Sequence, residues 1–404
     1  MASAASSSFD VVVVGGGIAG STLGGVLARA GLGVLVVEKE ARFRDRIRGE
    51  GTWPWGVAEA QALGLHGLLR EASTIPLYAV HRYEQGVHVE TLVEPEPGSS
   101  LTSIGFFHPQ FQEAAFSWAA AQGARTLRPA KAVTFASNGR PQLTLATEDG
   151  EVTVSARLVV GADGKLSRVR QWTGGESVTD PEHHRMGGVL ISGAVIDRAH
   201  DNFAWFDGEA INWFAAGPEM TRLYVEMTAA RLRETGIDRS FPALIAFAAA
   251  QMPEGELASV TQEGPIGFFP TNDIWASRIA GNHVVLIGDA AGAPDPSQGH
   301  GTPMIFRDVR ALSELLLSER DWDLAIDAYA QERARAFAVI RELDRWHNAF
   351  YEMSDDAVRL QEGHERAKHH DPALGGFAHI ETRGPGGLVA DEAARRHYFG
   401  EDLR

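Results

Sequence analysis

Residues 11–38 read VVVVGGGIAGSTLGGVLARAGLGVLVVE, and this stretch decides the fold. Four consecutive valines suit a strand buried on both faces, the pattern of a parallel sheet. Gly15, Gly17 and Gly20 follow at G-x-G-x-x-G spacing, with Ile18 and Ala19 between the last two. From Ile18 to Ala30 the residues Leu23, Val26, Leu27 and Ala30 share one helical face, and Gly31 and Gly33 end the run. Val34–Val37 is a second apolar strand, with Glu38 at its end and Lys39 after it. Gly15 permits a tight turn, Gly17 lets a pyrophosphate approach the backbone, and Gly20 lets the helix lie close to the strand. The helix N-terminus offers free N–H groups and positive potential to phosphates. Glu38 accepts hydrogen bonds from ribose hydroxyls and repels a 2′-phosphate, so FAD or NAD suits the turn better than NADP. A glycine turn can also be purely structural; the flanking strand and helix and the following acid raise this one to a dinucleotide site.

At 404 residues the chain exceeds one compact core and implies two domains, or a large one with a second embedded in it. A net charge of −16 argues against a nucleic-acid partner. With no cysteine, the chain has no disulfides, thiolate metal sites, cysteine nucleophiles or cysteinyl–flavin link. No apolar run approaches the roughly 18 residues that span a bilayer. Residues 1–8 are small and polar without a basic segment, and read as a disordered tail rather than a signal peptide. A cytoplasmic protein is the expectation.

After Glu38 comes a basic loop with Arg42, Arg44, Arg46 and Arg48; its plain reading is a solvated loop, its functional one that Arg48, beside Gly49, reaches a cofactor. Trp53 and Trp55 flank Pro54, and Val57–Arg70 has helical periodicity. Residues 75–103 are strand-like, and His108–Gly123 is helical with Pro109 in its first turn. Strands follow around Ala132–Phe135, Gln142–Ala146 and Val152–Val160, with Asn138-Gly139 and Asp149-Gly150 as turns. Met186–Met227 is dense in strand signals and reads as an antiparallel sheet. Ser240–Gln251, Pro303–Ser318 and Trp322–Met353 read as helices, and Asn282–Gly288 as a buried strand. The fold class expected is α/β, with a Rossmann-like domain in three pieces (9–74, 104–180 and 270–353). Residues 75–103 and 181–269 form a β-sheet substrate domain, and 354–404 a C-terminal helical or irregular segment.

Two later stretches share one form: a β-branched run, glycine, aspartate, small residues, then a helix. They are Gly161-Ala162-Asp163-Gly164, continuing to Ser167 and Arg170, and Gly288-Asp289, continuing through Pro296, Gly299, His300 and Gly301 to Thr302. An aspartate at a strand's C-terminal end points into the crevice where α/β sheets bind ligands. Gly299 and Gly301 before a helix make a second site of free N–H groups.

In this order and at these separations the three stretches resemble the group A flavin monooxygenases, the p-hydroxybenzoate hydroxylase type with a GR2-type FAD domain. Gly15, Gly17, Gly20 and Glu38 match the fingerprint; Asp163, Gly164, Ser167 and Arg170 match the D-G motif; Gly288, Asp289, Pro296, Gly299 and Gly301 match the G-D motif and its glycine turn. The helix from Asp308 and the one with Tyr329, Glu332 and Arg335 are similar to the family's C-terminal part. The chain departs from the pattern at Gly292, often histidine, and at His300-Gly301, often glutamine–glycine. It also departs at His108, where the family has a cofactor-contacting arginine; Gln112 shares that contact here.

The resemblance implies non-covalent FAD, with adenosine on Glu38, pyrophosphate on the Gly15 turn, ribitol near Asp289 and the ring against Pro296–Gly301. Ile18, Ala19, Lys39, Arg48, Gln112, Asp163, Gly164, Arg170 and Thr302 join the cofactor contacts. In this family NAD(P)H reduces the flavin and O₂ adds at C4a, giving a hydroperoxide that oxygenates an aromatic or polycyclic small molecule. The flavin does the chemistry, so His108 and Pro296 are the only residues considered for a catalytic part. Trp53, Trp55, Trp205, Trp213, Phe214, Tyr224, Phe268 and Phe269 are candidates for the pocket wall, each with core packing as the plainer alternative. His364, His369 and His370 lie among charged residues and read as a solvated helix face rather than a metal site. Two relatives of the fold compete. A flavin-dependent halogenase would need a W-x-W-x-I-P segment near mid-chain, whereas Trp53-Pro54-Trp55 lies early and runs on into Gly-Val-Ala. A flavin-linked isoprenoid (geranylgeranyl-type) reductase shares the motif order. A non-enzymatic dinucleotide sensor is a third class, and the intact G-D and D-G motifs argue against it.

Overall fold

The computed structural model describes residues 7–47, 49–93, 101–137, 139–351, 354–370 and 377–403. The valine run lies at the centre of a sheet. Ser7–Val14 pairs in parallel with Val34–Val37 on one side and with Gly150–Gly161 on the other. Arg125–Leu127 continues the first side and Val284–Leu286 the second, both in parallel. A hairpin of Ala130–Ala136 and Gln142–Thr147 is added antiparallel along the first half of Gly150–Gly161. Side chains alternate across a strand. Val11 and Val13 therefore pack under the helices Ile18–Arg29, His108–Ala121 and Gly301–Ser318, while Val12 and Val14 pack on the opposite face with Leu143 and Leu145. Burial on both faces is why this strand reads as a continuous apolar run.

The second large sheet runs in the order Thr261–Gln262, Arg185–Ser192, Met220–Met227, Glu209–Ala215, Asp201–Phe206, Val80–Glu84, Val87–Val93. Its neighbours are antiparallel except Asp201–Phe206 beside Val80–Glu84. Gly267–Pro270 also pairs with Arg185–Ser192. One face has its own core of Val189, Ile191, Ile211, Leu223 and Val225. The other face looks toward the first sheet.

Three local expectations change. Val57–Arg70 is two helices, Pro54–Ala62 and His66–Glu71, because Gly64 takes a left-handed φ of +72° between them. The first strand starts at Ser7, inside the stretch expected to be tail, because Ser7 pairs with Val154. The helix from Trp322 ends at Asn348 and passes into a 3-10 turn at Ala349–Tyr351; Met353 and Asn138 lie outside the described residues. No helix among the described residues is long and apolar enough to cross a membrane.

Candidate cofactor and substrate site

The C-terminal ends of the parallel strands and the free face of the second sheet enclose one cavity of ≈1360 Å³. Gly15, Gly17, Ile18, Ala19, Glu38 and Lys39 line one end. Gly15 has φ +107°, and a Cβ there would lie 2.3 Å from the Ala162 carbonyl oxygen. Only glycine meets both conditions. Gly20 is off the cavity; a Cβ would fall 1.9 Å from the Gly15 oxygen, so this residue serves the helix–strand approach rather than touching a ligand. No side chain caps the helix Ile18–Arg29, which leaves its first N–H groups facing the cavity. Glu38 is buried, and its two oxygens accept from Gly16 N–H and Glu40 N–H, each at 2.7 Å. These bonds hold the carboxylate at the strand end, and each oxygen keeps a lone pair for a hydroxyl. Gln112 and His108 also line this region. His108 Nδ1 bonds the Gly49 carbonyl at 2.9 Å and ties its helix to the basic loop. Arg48 lies outside the described residues; Arg44 and Arg46 reach the cavity, Arg46 paired with Glu40 at 2.7 Å.

Asp163, Gly164 and Asp289 line the middle. Asp163 Oδ2 accepts from Arg168 N–H at 2.8 Å, while its Oδ1 is buried with no protein partner. Arg170, expected on the cofactor, does not reach the cavity. Its guanidinium donates to the Ala290 and Asp289 carbonyls, each at 2.7 Å, and braces the turn carrying Asp289 from behind. A second brace was not legible in the sequence. Arg333 donates to the Gly292 carbonyl at 2.8 Å and to Asp308 at 3.3 Å, and Asp308 accepts Gly288 N–H at 2.7 Å. A Cβ at Gly292 would lie 2.9 Å from Arg333 Nη1 and 3.0 Å from Phe337, so the guanidinium takes the room a larger residue would need. Pro296, Gly299, Gly301 and Thr302 line the next section, where the helix Gly301–Ser318 also begins without a side-chain cap. Trp53 stands over this turn and donates its indole N–H to the Gln298 carbonyl at 2.8 Å. His300 is off the cavity, and burial lowers its pKa to about 4.

The far end is aromatic. Trp53, Trp205, Phe214, Tyr224 and Phe269 lie on the wall, joined by Phe203, Phe350 and Tyr351. Trp213 and Phe268 do not: strand alternation turns them to the sheet's other face, where Trp213 meets Tyr83 at 5.3 Å between centroids. Trp55 is also a core residue, packed with Met304, Ile340 and Ile380 on the helices. Motif reading missed the charged groups here: Glu50, Glu226 and Asp201 line the cavity, and Arg222 lies behind the wall. Arg222, without exposure, pairs with Glu50 and with Asp45 at 2.9 Å, and Tyr224 donates its hydroxyl to Glu50 at 3.1 Å. Burial pushes the Glu50 carboxyl up, and Arg222 pulls it back. Burial also opposes the Arg222 charge, but Glu50, Tyr224 and Asp45 outweigh it and raise its pKa. Glu226 receives the Tyr351 hydroxyl, and Asp201 accepts from Asn212 at 2.5 Å. Burial raises Glu226 to about 8 and Asp201 to about 7.

Two uncapped helix N-termini, a carboxylate at a strand end and an unpartnered aspartate oxygen thus lie in sequence along one cavity. This donor set fits a dinucleotide with two phosphates and several hydroxyls. The family described as FAD binding domain matches residues 8–342. The chain belongs to that family, the group A flavoprotein monooxygenases. It is an FAD-dependent oxidoreductase. Menaquinone reductase of Mycolicibacterium smegmatis is 29% identical over 355 residues, 83% of either chain. Squalene epoxidase erg1 of Aspergillus fumigatus is 24% identical over 387 residues, 88% of this chain and 78% of that one. Among solved structures, a probable FAD-dependent monooxygenase from Pseudomonas aeruginosa superposes with a TM-score of 0.74 at 20% identity, over 88% of this chain and 99% of its own. A myxobacterial chondrochloren halogenase reaches 0.75 at 18%, over 98% and 97%. At these identities the two structures establish the shared fold.

Proposed function

We propose that this family member uses NAD(P)H and O₂ to oxygenate an aromatic or polycyclic small molecule that has hydroxyl, keto or amino substituents. The observation that carries the reading is the continuity of the cavity, which leads from the Gly15 turn past Asp289 and Pro296–Gly301 to the Trp205–Phe214–Tyr224 wall. Glu38 holds the adenosine ribose of FAD, the Gly15 turn and the N–H groups of Gly17–Ala19 the pyrophosphate, Asp289 the ribitol, and the Pro296–Thr302 turn the ring edge. When bound, FAD supplies the redox and oxygen-transfer chemistry. The chain orients the substrate against the ring and keeps water out. Helix Gly301–Ser318 points its positive end at the ring edge and favours the anionic reduced form. Near neutral pH Glu226, raised to about 8, keeps its proton and offers a donor and an acceptor to a polar substituent, while Asp201, raised to about 7, is divided between its two forms. A wall of this composition selects a decorated ring system over a bare hydrocarbon.

Purified protein should be yellow, and a panel of aromatic and polycyclic compounds should contain members that raise both NAD(P)H oxidation and oxygen uptake, with product heavier by one oxygen atom. A colourless chain that FAD cannot reconstitute contradicts the cofactor assignment. The likeness to menaquinone reductase and to a digeranylgeranylglycerophospholipid reductase supports a second reading, a flavin-linked reductase of the geranylgeranyl type that saturates a double bond. Under it, reduced flavin persists in air and the product gains two hydrogens.

A further inference from the structure

The cavity continues past the aromatic wall to the edge of the second sheet, where its lining becomes polar. One row of the sheet shows the change. Tyr224 pairs with Asn212, Asn212 with Phe203, Phe203 with Arg82, and Arg82 with Glu90. All of these side chains line the cavity. At about 4.8 Å between neighbouring strands, the row makes a floor about 19 Å long. It runs from a buried phenol to an ion pair on the edge strand Val87–Val93. Arg82 is fixed there, because its Nε donates to Glu90 at 3.1 Å and its Nη1 to Glu84 at 2.5 Å.

The opposite side of this end comes from the C-terminal helices, outside the residues 8–342 that match the family. Helix Asp355–His370 supplies Gln361, His364 and Glu365, and helix Phe377–Arg383, which packs beside strand Val87–Val93, supplies Glu381. His364 and Glu381 are each 4% exposed, so the polar lining reaches inward from the mouth. The His364 ring lies 5.5 Å from Phe350, and Phe350 lies 6.4 Å from Trp205, between centroids, which joins this lining to the aromatic wall. Glu226 lies on the wall at 2% exposure, and among the described residues only the Tyr351 hydroxyl bonds its carboxyl.

The groups at this end are of mixed character. Arg82 only donates, the carboxylates of Glu90 and Glu365 accept, and Thr91 and Gln361 do both. A hydrocarbon chain lying here would strip water from these groups and replace none of their hydrogen bonds. A lone cation would meet Arg82 in the middle of the row. Hydroxyls both donate and accept, so they suit every group present. The volume of ≈1360 Å³ also exceeds the roughly 300–1,000 Å³ of a site for one ligand.

We propose that the substrate is a ring system with a hydroxyl-rich, sugar-like appendage. Its rings lie on the Trp205–Phe214–Tyr224 wall, and the appendage lies between the Arg82–Glu90 pair and helix Asp355–His370. The proposal rests on the reading of this cavity as the place where FAD meets a polycyclic substrate. It makes Arg82 and Gln361 specificity-determining residues, one on each side of the appendage.

The test uses matched ligands on the FAD-loaded full chain. Hydroxyanthraquinone, hydroxyflavone and naphthol are each titrated as the free hydroxyl compound, the O-glucoside and the O-decyl ether, and affinity is read from the change in flavin absorbance. At least one ring system should bind about 10-fold more tightly as its glucoside than as the free compound, and its decyl ether should bind no better than the free compound. Arg82→Ala should bring the glucoside-to-free ratio close to one. Gln361→Ala, on a separate element, should lower the same ratio and replaces the first variant if that one fails to fold. Glucosides that bind no better than the free compounds, decyl ethers that bind best, or a glucoside preference that neither variant narrows overturns the proposal and leaves the polycyclic reading standing. If no compound binds in any form, the polycyclic reading fails and the proposal falls with it. A chain that never takes up FAD contradicts the cofactor assignment, and quenching of tryptophan fluorescence then reads the same ratios.

Discussion

At the Gly15 end of the cavity, the ligand-facing groups are backbone N–H groups at an uncapped helix start and one carboxylate at a strand end. At the Tyr224 end they are side chains from several strands of a mostly antiparallel sheet, with Glu226 and Asp201 among the aromatics and Arg222 buried behind them. The first end depends on glycine geometry within a short span. The second depends on strand alternation and on charge pairs brought together from distant parts of the chain. The ends should therefore fail in different ways. Damage at the glycine turn should cost cofactor affinity, and damage at the aromatic wall should cost stability and substrate handling.

The largest expected effect is on the wall. Arg222→Ala leaves Glu50 buried with no cation and should destabilise the fold by about 3–5 kcal/mol, measured by urea unfolding. Recovery of much of that loss on adding Glu50→Gln would sharpen the account; a loss below about 1 kcal/mol would break it. Next is Gly15→Ala. The strained φ and the clash with Ala162 should weaken FAD binding by about 10²-fold or more, read by flavin fluorescence titration. FAD affinity unchanged by this variant would dissolve the distinction between the two ends.

Glu226→Gln probes the wall through pH. In the folded chain the Glu226 pKa is raised from 4.5 to about 8, so across that window the native state holds a proton the unfolded state has released. Stability from this group is therefore full below pH 4.5 and falls as pH rises toward about 8. The slope is at most about 1.4 kcal/mol per pH unit. Glu226→Gln should flatten the fall in melting temperature across that range, and an unaltered slope would place the titration elsewhere. The smallest effect belongs to the turn between the ends. Trp53→Phe removes the N–H donated to Gln298 and should cost about 0.5–1.5 kcal/mol in FAD affinity. Trp55→Phe, in the helical core, should leave that affinity alone while lowering thermal stability.

The same contrast explains what was legible in the sequence. The central strand, its helix and Glu38 were readable because β-branched runs, glycine spacing and helical periodicity act over neighbouring residues. The D-G and G-D stretches were readable as strand ends, and Asp163 and Asp289 do lie on the cavity. Side-chain direction was not. Arg170 follows the D-G motif, but the 3-10 turn Val169–Thr173 aims it at the carbonyls behind Asp289. Trp213 and Phe268 adjoin wall residues in sequence, and strand alternation puts them on the other face. Glu50 and Arg222 are separated by 172 positions, and no periodicity links them. Gly64 was visible, but only its left-handed backbone shows that it divides a helix.

The most direct test of the central claim is turnover under ¹⁸O₂ with a substrate found in the panel screen. The FAD-loaded chain, supplied with NAD(P)H, should give a product with one ¹⁸O atom while oxygen is consumed. A product with two added hydrogens and no label, together with reduced flavin that persists in air, would contradict oxygenation and assign the cavity to a reductase.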